Sequence, residues 1–443
     1  MLPQSTASMK TESINLLASS QKQMNGCIEV PGDKSISHRA IIISSIAKGE
    51  TQIDHYLNST DVHASIRACR AIGARIEQND DSLVINGNDR SRSSGKDIEL
   101  NFGNSGTSMR LMMGVLSAQN FSSVLEGDSS LNQRPMNRVS QPLIKMNADI
   151  ITTDDTPPVH IAPVKKIKNV NHSEDVASAQ IKSSILLAGL YGDDTFTIKT
   201  PPSRDHTEIM LGEFGCKISK DLESITMTPS ELLSPGQIDV PGDISSAAFF
   251  IVGAILSKDG QVTINNVGLN PLRTGFIKIL IMMGANIVIT ENRKINGELV
   301  GNLTAKSSKL YGVDVPKHLI ASSIDELPLI VLAGSQADGK TSVRNAEELR
   351  VKESDRISSM IKMMQAFGIS VDEYDDGMNI YGGTITGSTI NSFGDHRIAM
   401  TALLASLVSD GDVLVQDCKN IDTSFPSFIK VANNIGMDIK EHA

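Results

Sequence analysis

The sequence predicts an α/β protein of two similar domains, and three kinds of repetition predict it. A helical apolar pattern runs six times into a short Gly-x-x-Ile-like signature: Gly73-Ala74-Arg75-Ile76, Asn147-Ala148-Asp149-Ile150, Gly215-Cys216-Lys217-Ile218, Gly284-Ala285-Asn286-Ile287, Gly368-Ile369-Ser370-Val371 and Gly436-Met437-Asp438-Ile439. Gly or Asn after a helix supplies a left-handed cap, and the β-branched residue that follows begins a strand. The signatures recur every 68 to 84 residues and mark six units. Each unit also holds a second helix, rich in Ala, Ser and Gly, whose small side chains suit burial on most sides. Finally, Ile28-Glu29-Val30-Pro31-Gly32-Asp33 returns 210 residues later as Ile238-Asp239-Val240-Pro241-Gly242-Asp243, with three units after each copy.

Taken in chain order, residues 1–23 are polar, lack the apolar stretch of a signal peptide and are expected to form a disordered extension. The domains are expected at 33–241 and at 24–32 plus 242–443, with the two Pro-Gly connections acting as a hinge. The small polar helix openings are Gly32-Asp33-Lys34-Ser35, Gly103-Asn104-Ser105-Gly106, Ser178-Ala179-Gln180, Gly242-Asp243-Ile244-Ser245, Ser322-Ser323-Ile324-Asp325 and Gly394-Asp395-His396-Arg397. These residue types satisfy free N–H groups at a helix start.

Composition removes several function classes. With 40% hydrophobic residues and 34 glycines, the 443-residue chain is not disordered in bulk and can bury sizeable cores. Its 41 basic and 51 acidic side chains leave a formal charge of −10, which argues against a nucleic-acid partner, because phosphate-backbone affinity rests on massed Lys and Arg. The longest apolar run, Ala247 to Leu256, is half the roughly 20 residues a spanning helix needs, so no membrane partner is expected. Cys27, Cys69, Cys216 and Cys418 lie far apart without a CxxC pair, pointing to a reducing, cytoplasmic setting and to no disulfide framework. No phosphate loop, complete dinucleotide fingerprint or HxxxH pair is present, so neither metal nor cofactor is expected.

The chemistry is expected at the helix starts. A helix N-terminus offers unpaired N–H donors and about half a positive charge, and six such ends meeting between the domains would bind anions strongly. Basic residues recur there against the dipole preference: Lys34 and Arg39, Arg134 and Arg138, Arg204, then Lys352 and Arg356, with spacings that place Lys352, Glu353 and Arg356 on one helix face. Asp325, near the start of an apolar helix, and Glu353, between two cations, are the candidates for acid–base work. Cations favour the ionised form of Glu353 while desolvation opposes it.

Four ordered segments, Pro31-Gly32-Asp33-Lys34-Ser35-Ile36-Ser37-His38-Arg39, Gly103-Asn104-Ser105-Gly106-Thr107, Leu349-Arg350-Val351-Lys352-Glu353-Ser354-Asp355-Arg356 and Gly394-Asp395-His396-Arg397, closely resemble the 5-enolpyruvylshikimate-3-phosphate synthase family. The resemblance runs from about residue 25 to the C-terminus. Ser178-Ala179-Gln180-Ile181-Lys182 is similar to the family's second class, as is Thr423 where many members carry a lysine. The resemblance implies two inside-out α/β barrel domains, each of three βαβαββ units, closing over an interdomain cleft. It implies transfer of the enolpyruvyl group of phosphoenolpyruvate to the 5-hydroxyl of shikimate 3-phosphate, with release of phosphate, by a cytoplasmic monomer.

Carried over by motif, the resemblance assigns Lys34, Ser35, Arg39, Ser178, Ala179, Gln180, Ser203, Arg204, Asp325 and Lys352 to shikimate 3-phosphate. It assigns Lys34, Asn104, Gly106, Thr107, Arg134, Gln180, Arg356 and Arg397 to phosphoenolpyruvate. Planar guanidinium forks suit the carboxylate and phosphate of these ligands. Asp325 is expected to act as hydroxyl base, Glu353 as acid and base at carbon, and Lys34 to assist. Two rivals stay open on sequence: the related transferase acting on UDP-N-acetylglucosamine, which typically carries Lys-Asn where this chain has Lys34-Ser35, and an inert anion-binding protein.

Overall fold

The computed structural model describes residues 14–79, 81–90 and 97–442. All six signature positions take the left-handed backbone that ends a helix, with φ between 72° at Asn147 and 116° at Gly436. A strand follows each one, beginning with Arg75–Gln78 and ending with Ile439–His442. The widest interval, between Gly284 and Gly368, holds the long hairpin Asn286–Ile295 and Glu298–Lys306.

Six sheets result among the described residues, and in five of them one parallel pair is continued by two antiparallel pairs. The first sheet, for example, pairs Gln237–Asp239 parallel to Glu50–Asp54, which pairs antiparallel to Ser82–Asn86, which pairs antiparallel to Arg75–Gln78. The small-residue helices are buried and pack on one another. Lys34–Ile46 packs on Gly106–Leu116, which packs on Ala179–Gly189; in the other half Leu327–Ser335 touches both Ile244–Leu256 and His396–Ala405. Gly114 shows how close the approach is: a Cβ there would lie 2.2 Å from the carbonyl oxygen of Ser184. Asp33, Ser105, Ser178, Asp243 and Asp395 each accept a backbone N–H at the start of one of these helices.

Two hydrophobic cores form. One draws on residues from Ile36 to Val240, and the other on Leu16 to Val30 together with Ile244 to Ile439. The chain therefore crosses between halves twice. Asn25–Glu29 pairs with Gln261–Gly268 before the crossing at Pro31-Gly32, and Gln237–Asp239 pairs with Glu50–Asp54 before the return at Pro241-Gly242. The crossings hold each other: Asp33 N–H donates to Pro241 O and Asp243 N–H to Pro31 O, both at 2.8 Å. Buried Arg273 ties Asp33 (3.0 Å) to Asp243 (3.3 Å).

The expectation that residues 1–23 are a disordered extension needs correction from residue 14 onward. Asn15–Ala18 is a strand, paired antiparallel to Val413–Gln416 on one side and to Ile439–His442 on the other. It fills the place that the last hairpin strand takes in the other sheets, and buries Leu16 and Ala18. Residues 1–13 lie outside the described residues. Among the described residues no single helix is long and apolar enough to cross a membrane.

Candidate active site

A cavity of about 220 Å³ lies between the two halves, and the six inner helices send their N-terminal residues to it. Lys34 and Ser35, Gly106 and Thr107, and Ser178 to Ile181 come from the first half. Asp243, Asp325, and His396 with Arg397 come from the second. Side-chain caps at Asp33, Ser105, Ser178, Asp243 and Asp395 fix five of these starts, so their free N–H groups and positive dipole ends face one space. Nine Lys and Arg side chains line the cavity against five carboxylates, which makes a cationic pocket inside an acidic protein.

Every residue that the family motif assigns to a ligand lines this cavity except Arg39. Arg39 is buried one helical turn behind it, donating to Ser35 O at 2.9 Å, Thr207 Oγ1 at 2.7 Å and Ser183 Oγ at 3.0 Å. Burial lowers its pKa to about 10. Arg39 therefore supports the carbonyl of Ser35 from behind.

Lys352 and Glu353 correct the helical reading of their segment. The helix is Arg356–Ala366, capped by Asp355, and a 3₁₀ turn at Glu347–Val351 precedes it, so Lys352 and Glu353 belong to the connecting loop. Asp355 accepts Ser358 N–H and stops the helix from starting earlier. Likewise Arg134 precedes its helix, Asn137–Lys145, rather than opening it.

The charges interlock across the cavity. Arg356 donates to Glu353 Oε2 at 2.6 Å, to Asp395 Oδ2 at 2.8 Å and to Asp325 Oδ1 at 3.3 Å. Arg204, from the first half, pairs with Asp325, from the second. Arg134 lies 3.9 Å from Glu353, and Lys34 pairs with Asp61 at 3.1 Å. Burial by itself would raise the Asp325 pKa, but Arg204, Arg397, Lys352 and Arg356 outweigh it and hold the carboxyl well below its ordinary range. Glu353 is likewise held well below its ordinary range, where burial loses to Arg356, Arg134, His396 and Lys34. The competition left open by the sequence is thus won by the cations. Burial dominates elsewhere: it lowers the Lys352 pKa, brings His396 down to about 3 and raises Glu326.

One lining cation, Arg110, and one cross-half pairing, that of Arg138, escaped the sequence reading. Arg110 donates to Gln180 Oε1 at 2.8 Å and Pro135 O at 3.2 Å, and burial brings its pKa down to about 10. Its signal was present, four residues after Gly106 on the same helix face. Arg138 pairs with Glu348 across the halves at 3.0 Å, a long-range pair that no local pattern announces. Among the described residues, Arg134 Nε, Arg138 Nη2 and Ser203 Oγ are buried without a hydrogen-bond partner. Buried polar groups are ordinarily paired, so these three atoms, on residues that line the cavity, are exceptions. No group of three or more His, Cys, Asp or Glu placed to hold a metal ion occurs among the described residues.

Comparison with known proteins places the chain in a family. The family model described as EPSP synthase (3-phosphoshikimate 1-carboxyvinyltransferase) matches residues 18–432. The 3-phosphoshikimate 1-carboxyvinyltransferase of Coxiella burnetii (strain RSA 493 / Nine Mile phase I) is 42% identical over 94% of this chain and 96% of its own length. That of Legionella pneumophila (strain Lens) is 43% identical over 97% of this chain and 100% of its own. The EPSP synthase structure from Acinetobacter baumannii superposes with a TM-score of 0.86 at 39% identity, covering 97% of this chain and all of that one. The enolpyruvyl transferase NikO from Streptomyces tendae, at 16% identity and a TM-score of 0.78, shares the fold. With a two-domain α/β fold, a cationic interdomain cavity and relatives matched over nearly their whole length, the chain belongs to the EPSP synthase (3-phosphoshikimate 1-carboxyvinyltransferase) family.

Proposed function

We propose that the interdomain cavity binds shikimate 3-phosphate and phosphoenolpyruvate together and carries out the family reaction there. The enolpyruvyl group passes to the 5-hydroxyl and phosphate leaves, the shikimate-pathway step before chorismate and the aromatic amino acids. The observation that carries this assignment of the site is the pair of carboxylates, Asp325 and Glu353, set inside a cavity where cations outnumber acids. Both ligands are anions, so the surplus cations have partners to receive.

Shikimate 3-phosphate is assigned to Lys34, Ser35, Ser178, Ala179, Gln180, Ser203, Arg204, Asp325 and Lys352, with Arg39 behind Ser35. Phosphoenolpyruvate is assigned to Lys34, Asn104, Gly106, Thr107, Arg134, Gln180, Arg356 and Arg397. Asp325 takes the proton of the 5-hydroxyl as its oxygen bonds to the central carbon of phosphoenolpyruvate, and protonated Glu353 delivers a proton to the methylene carbon. In the second half of the reaction Glu353 takes a proton back from the new methyl group as the carbon–oxygen bond to phosphate breaks, and the departing phosphate takes the proton held by Asp325. Arriving anions neutralise Arg356, Arg134 and Lys34, the cations that depress Glu353, and so raise its pKa toward proton donation. Lys34 stabilises developing negative charge.

Membership of the second class is supported by Ala179, by Thr423 and by Lys182, whose buried ammonium pairs with Glu208 at 2.6 Å and donates to Ser203 O at 2.9 Å. The inside-out barrel of three βαβαββ units is supported by three buried helices packed on one another, together with three sheets, in each half. A cytoplasmic monomer without metal or cofactor completes the proposal on the family resemblance. Steady-state kinetics of Asp325→Asn and Glu353→Gln test the roles: each loses roughly 10²- to 10⁴-fold in kcat. Near-normal turnover in either variant removes that residue from the chemistry.

A further inference from the structure

The segment Ser203 to His206 faces two ways. Ser203 and Arg204 line the cavity, and Arg204 reaches Asp325. The next two residues point away from it into a buried polar cluster shared with the other half. Asn270 donates one hydrogen bond to Asp205 Oδ1 at 2.7 Å and another to Glu298 Oε2 at 3.1 Å. His206 Nδ1 lies 2.5 Å from Glu298 Oε1. His206, Asn270 and Glu298 are 2%, 4% and 6% exposed, so little water competes for these contacts.

Two features show that the cluster is built for contact across the halves. Asp205 occupies the N-cap of the helix His206–Glu213, yet its side chain makes no capping bond and instead holds Asn270 and Lys220. An N-cap aspartate ordinarily satisfies its own helix, so a local stabiliser is given up for a contact with the other half. Glu298 is delivered by the turn Asn296-Gly297 of the long hairpin, and that turn is seated on the first half. Asn296 accepts Asp239 N–H at 2.9 Å and donates to Gln237 O at 3.1 Å. A Cβ at Gly297 would lie 2.7 Å from Cγ2 of Ile209, and φ there is +76°, so glycine permits the approach.

We propose that Glu298 and Asn270 are positioning residues for shikimate 3-phosphate: through Asp205 and His206 they fix the backbone that presents Ser203 and Arg204 when the halves are closed. This rests on the assignment of Ser203 and Arg204 to that substrate. The test is steady-state kinetics with each substrate varied in turn, for Glu298→Ala, His206→Ala, His206→Asn and, as a direct control, Arg204→Ala. Glu298→Ala and His206→Ala raise KM for shikimate 3-phosphate about tenfold, in line with an unpaired buried partner, and leave KM for phosphoenolpyruvate within about twofold. His206→Asn, whose amide stands close to Nδ1, recovers most of the loss. Should Glu298→Ala fail to fold, Glu298→Gln carries the same expectation, because one acceptor oxygen replaces the two that serve Asn270 and His206.

The proposal is overturned if Arg204→Ala raises that KM while the Glu298 and His206 variants leave it unchanged, or if they shift both KM values equally. If Arg204→Ala itself leaves KM for shikimate 3-phosphate unchanged, the substrate assignment fails first and the positioning role falls with it.

Discussion

Gly106→Ala separates the phosphoenolpyruvate side of the cavity from fold stability. Gly106 is the first helical residue after the Ser105 cap, and its backbone is not in the left-handed region. Alanine is therefore free of backbone strain, and the helix gains up to about 1 kcal/mol from the change. The added Cβ, however, would stand 3.3 Å from Nη1 of Arg110 and 3.3 Å from Nη1 of Arg134. Both guanidinium groups must give way by a few tenths of an ångström, and Arg134 is a proposed anion contact. A hydrogen bond to a charged group contributes about 1.5–3 kcal/mol, and losing about half of one raises KM for phosphoenolpyruvate roughly three- to tenfold. Initial rates with each substrate varied, together with a thermal melt, form the assay. An unchanged KM for phosphoenolpyruvate, or equal rises in both KM values with a lowered melting temperature, would refute the reasoning.

Two further outcomes follow from the buried charges. Asp325 and Glu353 have folded pKa values below their unfolded ones, so their stabilising contribution is present above the unfolded value of about 4 and is lost as pH falls through the folded values. Glu326, whose pKa is raised, contributes the opposite sign and offsets part of that loss. The ligand-free protein accordingly loses stability below about pH 4, and Asp325→Asn flattens the acid limb of a melting-temperature profile; an unchanged slope contradicts this. Arg273→Ala leaves Asp33 and Asp243 buried at the crossings without their cation and costs about 3–5 kcal/mol in urea unfolding, with a loss under about 1 kcal/mol counting against it.

Much of the architecture was legible because it repeats. Five glycines and Asn147 announced the helix ends, and Ser, Asp and Gly announced five of the six buried helix starts, since both signals arise from local backbone needs; Ser322 and Ser323 instead end the helix Lys317–Ser323, and the next helix starts at Leu327. The strand Asn15–Ala18 was hidden because its partners lie 395 to 427 residues away and its four residues carry little pattern of their own. At the site, the helix starts placed Lys34, Gly106, Gln180 and Arg397 correctly in one cavity. Residues that act from behind or from a different element were less visible: Arg39 turned inward, and Arg273 and Glu298 acquire meaning only when the two halves meet.

Phosphorus NMR of the purified protein with phosphoenolpyruvate and shikimate 3-phosphate, repeated with UDP-N-acetylglucosamine as acceptor and with Glu353→Gln as enzyme, tests the assignment of this cavity most directly. Inorganic phosphate and a new enolpyruvyl ether are expected only with shikimate 3-phosphate, and at a sharply lower rate with Glu353→Gln. Release with the nucleotide sugar, release at full rate from Glu353→Gln, or silence with both acceptors would contradict it.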